Sequence, residues 1–279
     1  MKNIRILLLL TLAVSIVSCQ SGKEKQSQSE TEKPEWKTGI QTYSFHKFTL
    51  METLDKTKEL GLDYAEAFFF QTLGSGFADT AYLNYDLPQA EKLQLKEAFK
   101  KRNVQLYALG VAFYDSDDEW KHFFAFAHDM GIHTVTCEPR LDQLDLVEKL
   151  AVEYQIEVAI HNHPDPSVYA DPSVLHKALE GRNEIMGVCA DIGHWVRTGH
   201  DPVETLKKFN GRIKVVHLKD LSNELEDTTW GTGILPVKEV LDELKVQRFT
   251  GLVSMEYENF SDSQLSDMVK SLEFYNKHL

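Results

Sequence analysis

Five apolar runs in this chain end on side chains that hold metals or move protons. They are Thr136-Cys137-Glu138, Ile160-His161-Asn162-His163, Ala190-Asp191-Ile192-Gly193-His194, Val216-His217-Leu218-Lys219-Asp220 and Met255-Glu256-Tyr257-Glu258. A scattered histidine or acid is most often a surface or packing residue. A series in which each one caps an apolar strand is different, because a parallel barrel gathers its strand ends at one mouth. The expected ligand set is Glu138, His161, Asp191, His217 and Glu256. Carboxylates with imidazoles and no thiolate suit one divalent ion, Mn²⁺, Mg²⁺, Co²⁺ or Zn²⁺.

Such an ion grips adjacent sugar oxygens and acidifies the C–H beside a carbonyl. A nearby base then removes that proton to give a metal-stabilised enediolate. Return of the proton to the other face gives an epimer, a shift to the neighbouring carbon an isomer, and loss of a β-substituent a lyase or hydratase product. Glu138, Glu256, His163 and Lys219 are the candidate catalytic groups, with Lys219 placed to stabilise a developing oxyanion. Glu66, His163, His194, Trp195, Lys219 and Trp230 are the candidate substrate contacts. Among the aromatics near strand ends, Tyr43, Phe45, Phe69, Phe113, Trp195 and Trp230, the two tryptophans lie in glycine-containing segments and suit stacking on a sugar ring.

The elements that would position these groups alternate strictly. Strands are expected at Thr38–Tyr43, Tyr64–Phe69, Val104–Leu109, Thr134–Glu138, Glu157–His161, Met186–Asp191, Lys214–His217 and Leu252–Glu256. Helices are expected at Leu50–Leu60, Gln89–Lys101, Glu119–Met130, Leu141–Tyr154, Pro172–Glu180, Pro202–Phe209, Pro236–Leu244 and Ser263–Lys277. Glycines 61, 131, 211 and 251 stand at turns before strands, where a left-handed cap suits them. Eight such units without a glycine-rich dinucleotide turn favour a closed (β/α)8 TIM barrel over an open sheet. The two long connections, 70–88 and 221–235, are expected to shape substrate access.

The first residues carry two positive charges, then an apolar run from Ile6 to Val17, then Ser18-Cys19. This reads as an export signal over residues 1–19, and Ile16-Val17-Ser18-Cys19 resembles a lipoprotein lipobox with Cys19 as the lipid-bearing residue. Residues 20–37, rich in Ser, Gln, Glu and Lys, read as a flexible tether. Residues 38–279 then form one catalytic domain. The expected location is the periplasm or the cell surface, on the outer membrane, with a lipid anchor. A net charge of −13 argues against a nucleic-acid partner. Cys137 and Cys189 sit on opposite strand faces and are expected to be buried free thiols.

In combination, His161-Asn162-His163, Asp191-Ile192-Gly193-His194, His217-Leu218-Lys219-Asp220, Gly231-Thr232-Gly233-Ile234 and Glu256 resemble the xylose isomerase-like barrel superfamily. That superfamily includes sugar isomerases and epimerases, inosose dehydratase and endonuclease IV. The resemblance implies metal ligands at the ends of the last four strands, with a Glu at the fifth. Asp191, His217 and Glu256 match, while His161 stands where the Glu belongs and Glu138 is the carboxylate in reserve. The histidine version looks like the inosose dehydratase branch. The implied function is a metal-dependent isomerase, epimerase, lyase or hydratase on a sugar or keto-sugar. The alternatives are a non-catalytic sugar-binding lipoprotein and, disfavoured by charge, an endonuclease IV-like phosphodiesterase. The sequence leaves the particular sugar and the oligomeric state open.

Overall fold

A computed structural model describes residues 34–279. The expected signal, Cys19 and nearly all of the tether lie outside the described residues.

Among the described residues there are ten strands: β1 (Lys37–Gln41), β2 (Tyr64–Ala67), β3 (Gln105–Ala112), β4 (Thr134–Cys137), β5 (Glu157–His161), β6 (Met186–Asp191), β7 (Ile213–Leu218), β8 (Asp220–Leu221), β9 (Asp227–Thr228) and β10 (Leu252–Met255). Eight of them are parallel and close in the order β1-β10-β7-β6-β5-β4-β3-β2, while β8 and β9 form a small antiparallel pair. The helices are α1 (Leu50–Glu59), α2 (Gln89–Lys101), α3 (Asp117–Met130), α4 (Leu144–Tyr154), α5 (Pro172–Leu179), α6 (Ile192–Arg197), α7 (Pro202–Lys208), α8 (Val237–Val246) and α9 (Gln264–Lys277). The (β/α)8 barrel is therefore the fold, and each expected strand overlaps an observed one.

Local chemistry explains the element starts. Thr49 with Glu52 and Ser116 with Glu119 form reciprocal capping boxes at α1 and α3. Asp171 and Asp201 each cap a helix that begins with proline. α3 begins two residues before the expected Glu119 because Ser116 caps it. Gly61, Gly131 and Gly211 adopt left-handed φ as their turns demand. Gly251 does not; a Cβ there would strike the Lys214 carbonyl, so close strand approach fixes that glycine.

Most of the apolar core lies between strands and helices, with Trp120, Phe123 and Phe124 fully buried. A second, smaller cluster of Tyr107, Ala108, Ala159, Cys189, Val215 and Leu252 packs separately. Cys137 belongs to the first cluster and Cys189 to the second, and both are free and buried. Register places Asp191 beside His217, and Gln41 beside Glu66. Polar side chains from several strands therefore share one layer at the barrel's C-terminal mouth.

Candidate metal centre

Asp191 closes β6 and at once caps α6, its Oδ1 accepting the His194 backbone N–H at 2.7 Å. That cap turns the expected Asp-x-x-His loop into a six-residue helix. Asn162 clasps the same residue from β5: its Nδ2 donates to the Asp191 carbonyl at 3.0 Å, and its Oδ1 accepts the Asp191 N–H at 2.9 Å. With the backbone fixed and Oδ1 engaged, Asp191 Oδ2 points into the barrel. There it meets His161 Nε2 at 3.7 Å, His194 Nε2 at 3.5 Å, His217 Nδ1 at 3.9 Å and Lys219 Nζ at 2.9 Å.

The two strand-end histidines are oriented from behind. His217 Nε2 donates to Glu66 Oε2 at 2.9 Å, and Thr136 Oγ1 donates to Glu66 Oε1 at 2.5 Å. His161 Nδ1 donates to Glu138 Oε1 at 2.9 Å. In both rings a proton lies on the carboxylate side, and the neighbouring acidic groups outweigh burial and raise both imidazole pKa values, so an ion bound at the inner nitrogen, which faces Asp191, would displace a proton there. A carboxylate behind an imidazole is the arrangement that fixes a metal-binding tautomer. His194 is built the other way. Arg197 donates to its Nδ1 at 3.1 Å, so its Nε2–H faces Asp191 as a donor. Burial pushes the His194 pKa down to about 3, keeping the ring neutral.

Asp191 Oδ2, His217 Nδ1 and Glu256 Oε2 are buried and make no hydrogen bond of ordinary geometry, and the two carboxylate oxygens are ion-paired with Lys219. Donor atoms of these three residues lie within 4.8 Å of one another. His217 Nδ1 is 3.1 Å from Glu256 Oε2, a pairing of two acceptors that is repulsive unless a cation or a proton lies between them. Two carboxylates and an imidazole, with His161 behind Asp191, fit a divalent ion.

Lys219 complicates the centre. It is fully buried, and its Nζ sits 2.9 Å from Asp191 Oδ2 and 3.0 Å from Glu256 Oε2. Burial alone would lower its pKa; the charges of Asp191 and Glu256 outweigh that and raise it well above the usual value. The stem enters beside α6 because residue 193 is glycine, where a Cβ would meet Lys219 Cδ at 2.5 Å. This ammonium neutralises two of the ligand carboxylates from inside the barrel. It does not line the cleft, which is where an oxyanion would form.

Other expected residues fall differently. Glu138 does not reach the centre: Oε1 receives His161, the His163 N–H and the His163 ring, and Oε2 receives Ser167 Oγ at 2.7 Å. Burial would raise its pKa, yet the hydrogen bonds from His161 and His163 win and hold it far below the carboxylate range. Glu66, expected to touch substrate, is buried beneath His217. Trp195 and Trp230 are core residues, packed near Phe209 and Tyr275. Asp220 binds the backbone N–H groups of Leu221, Gly231, Gly233 and Leu235, which explains the Gly231-Thr232-Gly233 spacing as a loop anchored on one carboxylate.

A cleft of about 450 Å³ opens onto the centre, lined on its polar side by His163, His194, Glu256 and Glu258. Glu258 is held up to about 7, burial outweighing the opposing pull of Lys219, whose Nζ is 3.6 Å away. Its backbone is anchored on buried Asp227, which also receives Arg197. Period-two alternation from Glu256 was the signal for Glu258; none marked Asp227.

Glu66→Gln is expected to weaken divalent-ion binding about 10–100-fold with the fold intact. A competitive metal titration beside circular dichroism checks this, and unchanged affinity would remove Glu66 from the centre.

An uncharacterised protein of Parabacteroides distasonis ATCC 8503 is 56% identical, with TM-score 0.74, over 87% of this chain and 99% of that one. Inosose dehydratase 2 of Bacillus cereus is 34% identical over 90 residues, which are 32% of this chain and 30% of the relative. The match thus spans less than a third of that relative's length. The IOLI protein, solved with a bound zinc atom, shares the fold at 17% identity and TM-score 0.66 over 87% of this chain and 96% of its own. The xylose isomerase-like TIM barrel family model matches residues 54–278, from α1 through the last strand to α9, and so includes every strand end that builds the centre. The chain belongs to the xylose isomerase-like TIM barrel family.

Proposed function

We propose that this chain is a divalent-metal-dependent enzyme that moves a proton beside a carbonyl of a sugar or keto-sugar, as an isomerase, epimerase, or lyase or hydratase. One observation carries this reading. Donor atoms of Asp191, His217 and Glu256 lie within 4.8 Å of one another in a buried cluster with Lys219, and Glu256 opens that cluster to the cleft. The partial match to an inosose dehydratase supports it.

Asp191, His217 and Glu256, with His161 adjoining, would hold the ion. Bound there, it supplies Lewis-acid polarisation of a carbonyl and neighbouring hydroxyl. The chain's own groups do the rest. Glu258 faces the cleft and takes the proton from the carbon beside the carbonyl. His163, its Nδ1–H held by Glu138, presents the acceptor side of its ring to the cleft and receives a substrate hydroxyl, and the proton returned to the product is the one Glu258 has taken up. His194, neutral and aimed by Arg197, orients substrate hydroxyls. Glu138 and Lys219 act as positioning residues: the first aims two histidines, and the second balances buried charge.

The metal-loaded chain, incubated with keto-sugars in D₂O, is expected to place deuterium on the carbon next to the carbonyl, read by NMR. Chelation and Glu256→Gln should each abolish this exchange. Turnover that survives both treatments would overturn the reading, as would sugar binding that needs no metal and yields no exchange.

A further inference from the structure

The cleft is lined by two unlike groups of residues. One is polar, Gln41, His163, His194, Glu256 and Glu258; the other is aromatic and includes Tyr43, Phe70 and Phe113. These three rings are 41%, 73% and 70% exposed, an unusual display for residues that would normally be covered. Two backbone features put them there. β2 ends at Ala67, and Phe70 then takes a left-handed φ of 70°. β3 runs on to Ala112, so Phe113 is delivered at the mouth rather than within the sheet.

Among the described residues, no lysine or arginine lines this cleft. Lys219, the cation beside the centre, is fully buried, and its charge is already taken by Asp191 and Glu256. A dianionic phosphate entering here would meet Glu256 and Glu258 with no guanidinium or ammonium on the lining to receive it. The chain as a whole carries −13, so its long-range field also opposes an anion. A flat, uncharged group lying against exposed rings is favoured instead, since it buries apolar surface on both partners.

We propose that the substrate is a neutral keto-glycoside, in which a sugar ring bearing the carbonyl faces the metal centre while a flat substituent lies on Tyr43, Phe70 and Phe113; simple glycosides bind as its carbonyl-free analogues. That substituent is an aryl aglycone or the C–H face of a second sugar ring. The proposal rests on the reading of this cleft as a sugar site. It commits further to an uncharged, two-part substrate and excludes sugar phosphates.

The test is calorimetric titration of the metal-loaded chain with four probes in each of the glucose, galactose and mannose series. The probes are the free hexose, its 6-phosphate, its phenyl glycoside and a disaccharide bearing it at the non-reducing end. In at least one series a glycoside is expected to bind about tenfold more tightly than the free hexose, with no gain for the phosphate. The phenyl and disaccharide arms tell the two substituents apart. Phe70→Ala and Phe113→Ala, both exposed positions, should erase the glycoside's advantage.

A phosphate that outbinds its parent hexose overturns the proposal, as does a free hexose that binds as well as every glycoside. In both cases sugar binding itself stands, so the sugar-enzyme reading survives. No binding in any series, together with no metal uptake, removes that reading too.

Discussion

Asp191→Asn is expected to abolish stoichiometric divalent-metal binding and to lower deuterium exchange into substrate by about 10²–10³-fold. The size follows from where Asp191 Oδ2 sits. This single oxygen lies within 4 Å of His161, His194, His217 and Lys219 together. An amide removes the charge that binds the ion while keeping the shape. Its oxygen can still accept the His194 N–H in the Oδ1 position, and the backbone clasp by Asn162 uses main-chain atoms of residue 191. The barrel should therefore remain folded. Metal content by mass spectrometry, measured beside the wild-type chain, is the check. A full equivalent retained in the variant would place the ion, if any, elsewhere.

Lys219→Met is expected to make stability depend strongly on metal. The ammonium is buried against two carboxylates, and removing one partner of such a cluster leaves uncompensated charge, costing about 3–5 kcal/mol. In a chain of this size that corresponds to a fall in Tm on the order of 10 °C for the metal-free variant. A divalent ion on Asp191 and Glu256 neutralises the same oxygens, so adding it should recover most of the loss. Thermal melts of wild type and variant, with chelator and with saturating Mn²⁺ or Zn²⁺, read this directly. A metal-free variant as stable as the metal-free wild type would show that Lys219 does not balance these charges.

The strands were legible because their ends carry polar groups after short apolar runs, and α2 because Ala90, Leu93, Ala98 and Phe99 recur at the helix period. β5 and β6 match their expected bounds, and α2 does as well. Legibility fell where a side chain's direction depends on what surrounds it. Glu138 follows β4 directly and is adjacent in sequence to nothing that reveals its partners. Only the approach of His161, His163 and Ser167 from the β5 connection shows that both its oxygens are taken. Trp195 lies in Gly193-His194-Trp195, which reads as a loop. Because Asp191 caps α6, the residue turns inward toward Phe209 instead. Of the cleft aromatics, Tyr43 and Phe113 were among the expected stacking residues and Phe70 fell in the connection expected to shape access, but the preference went to the two tryptophans; the expected strand Tyr64–Phe69 in fact stops at Ala67.

The sequence by itself determined the barrel and the identity of the groups at its mouth, since alternating periodicity and strand-end chemistry are local properties of the chain. It also determined that Asp191, His217 and Glu256 would share one mouth, because parallel closure leaves them no other place. Which groups face the centre was decided by tertiary structure. Glu66 and Glu138 stand behind histidines, Lys219 reaches inward past Gly193, and Phe70 and Phe113 stay uncovered. Those outcomes depend on contacts between residues tens of positions apart, whose hydrogen-bond partners and burial exist only once the barrel has closed.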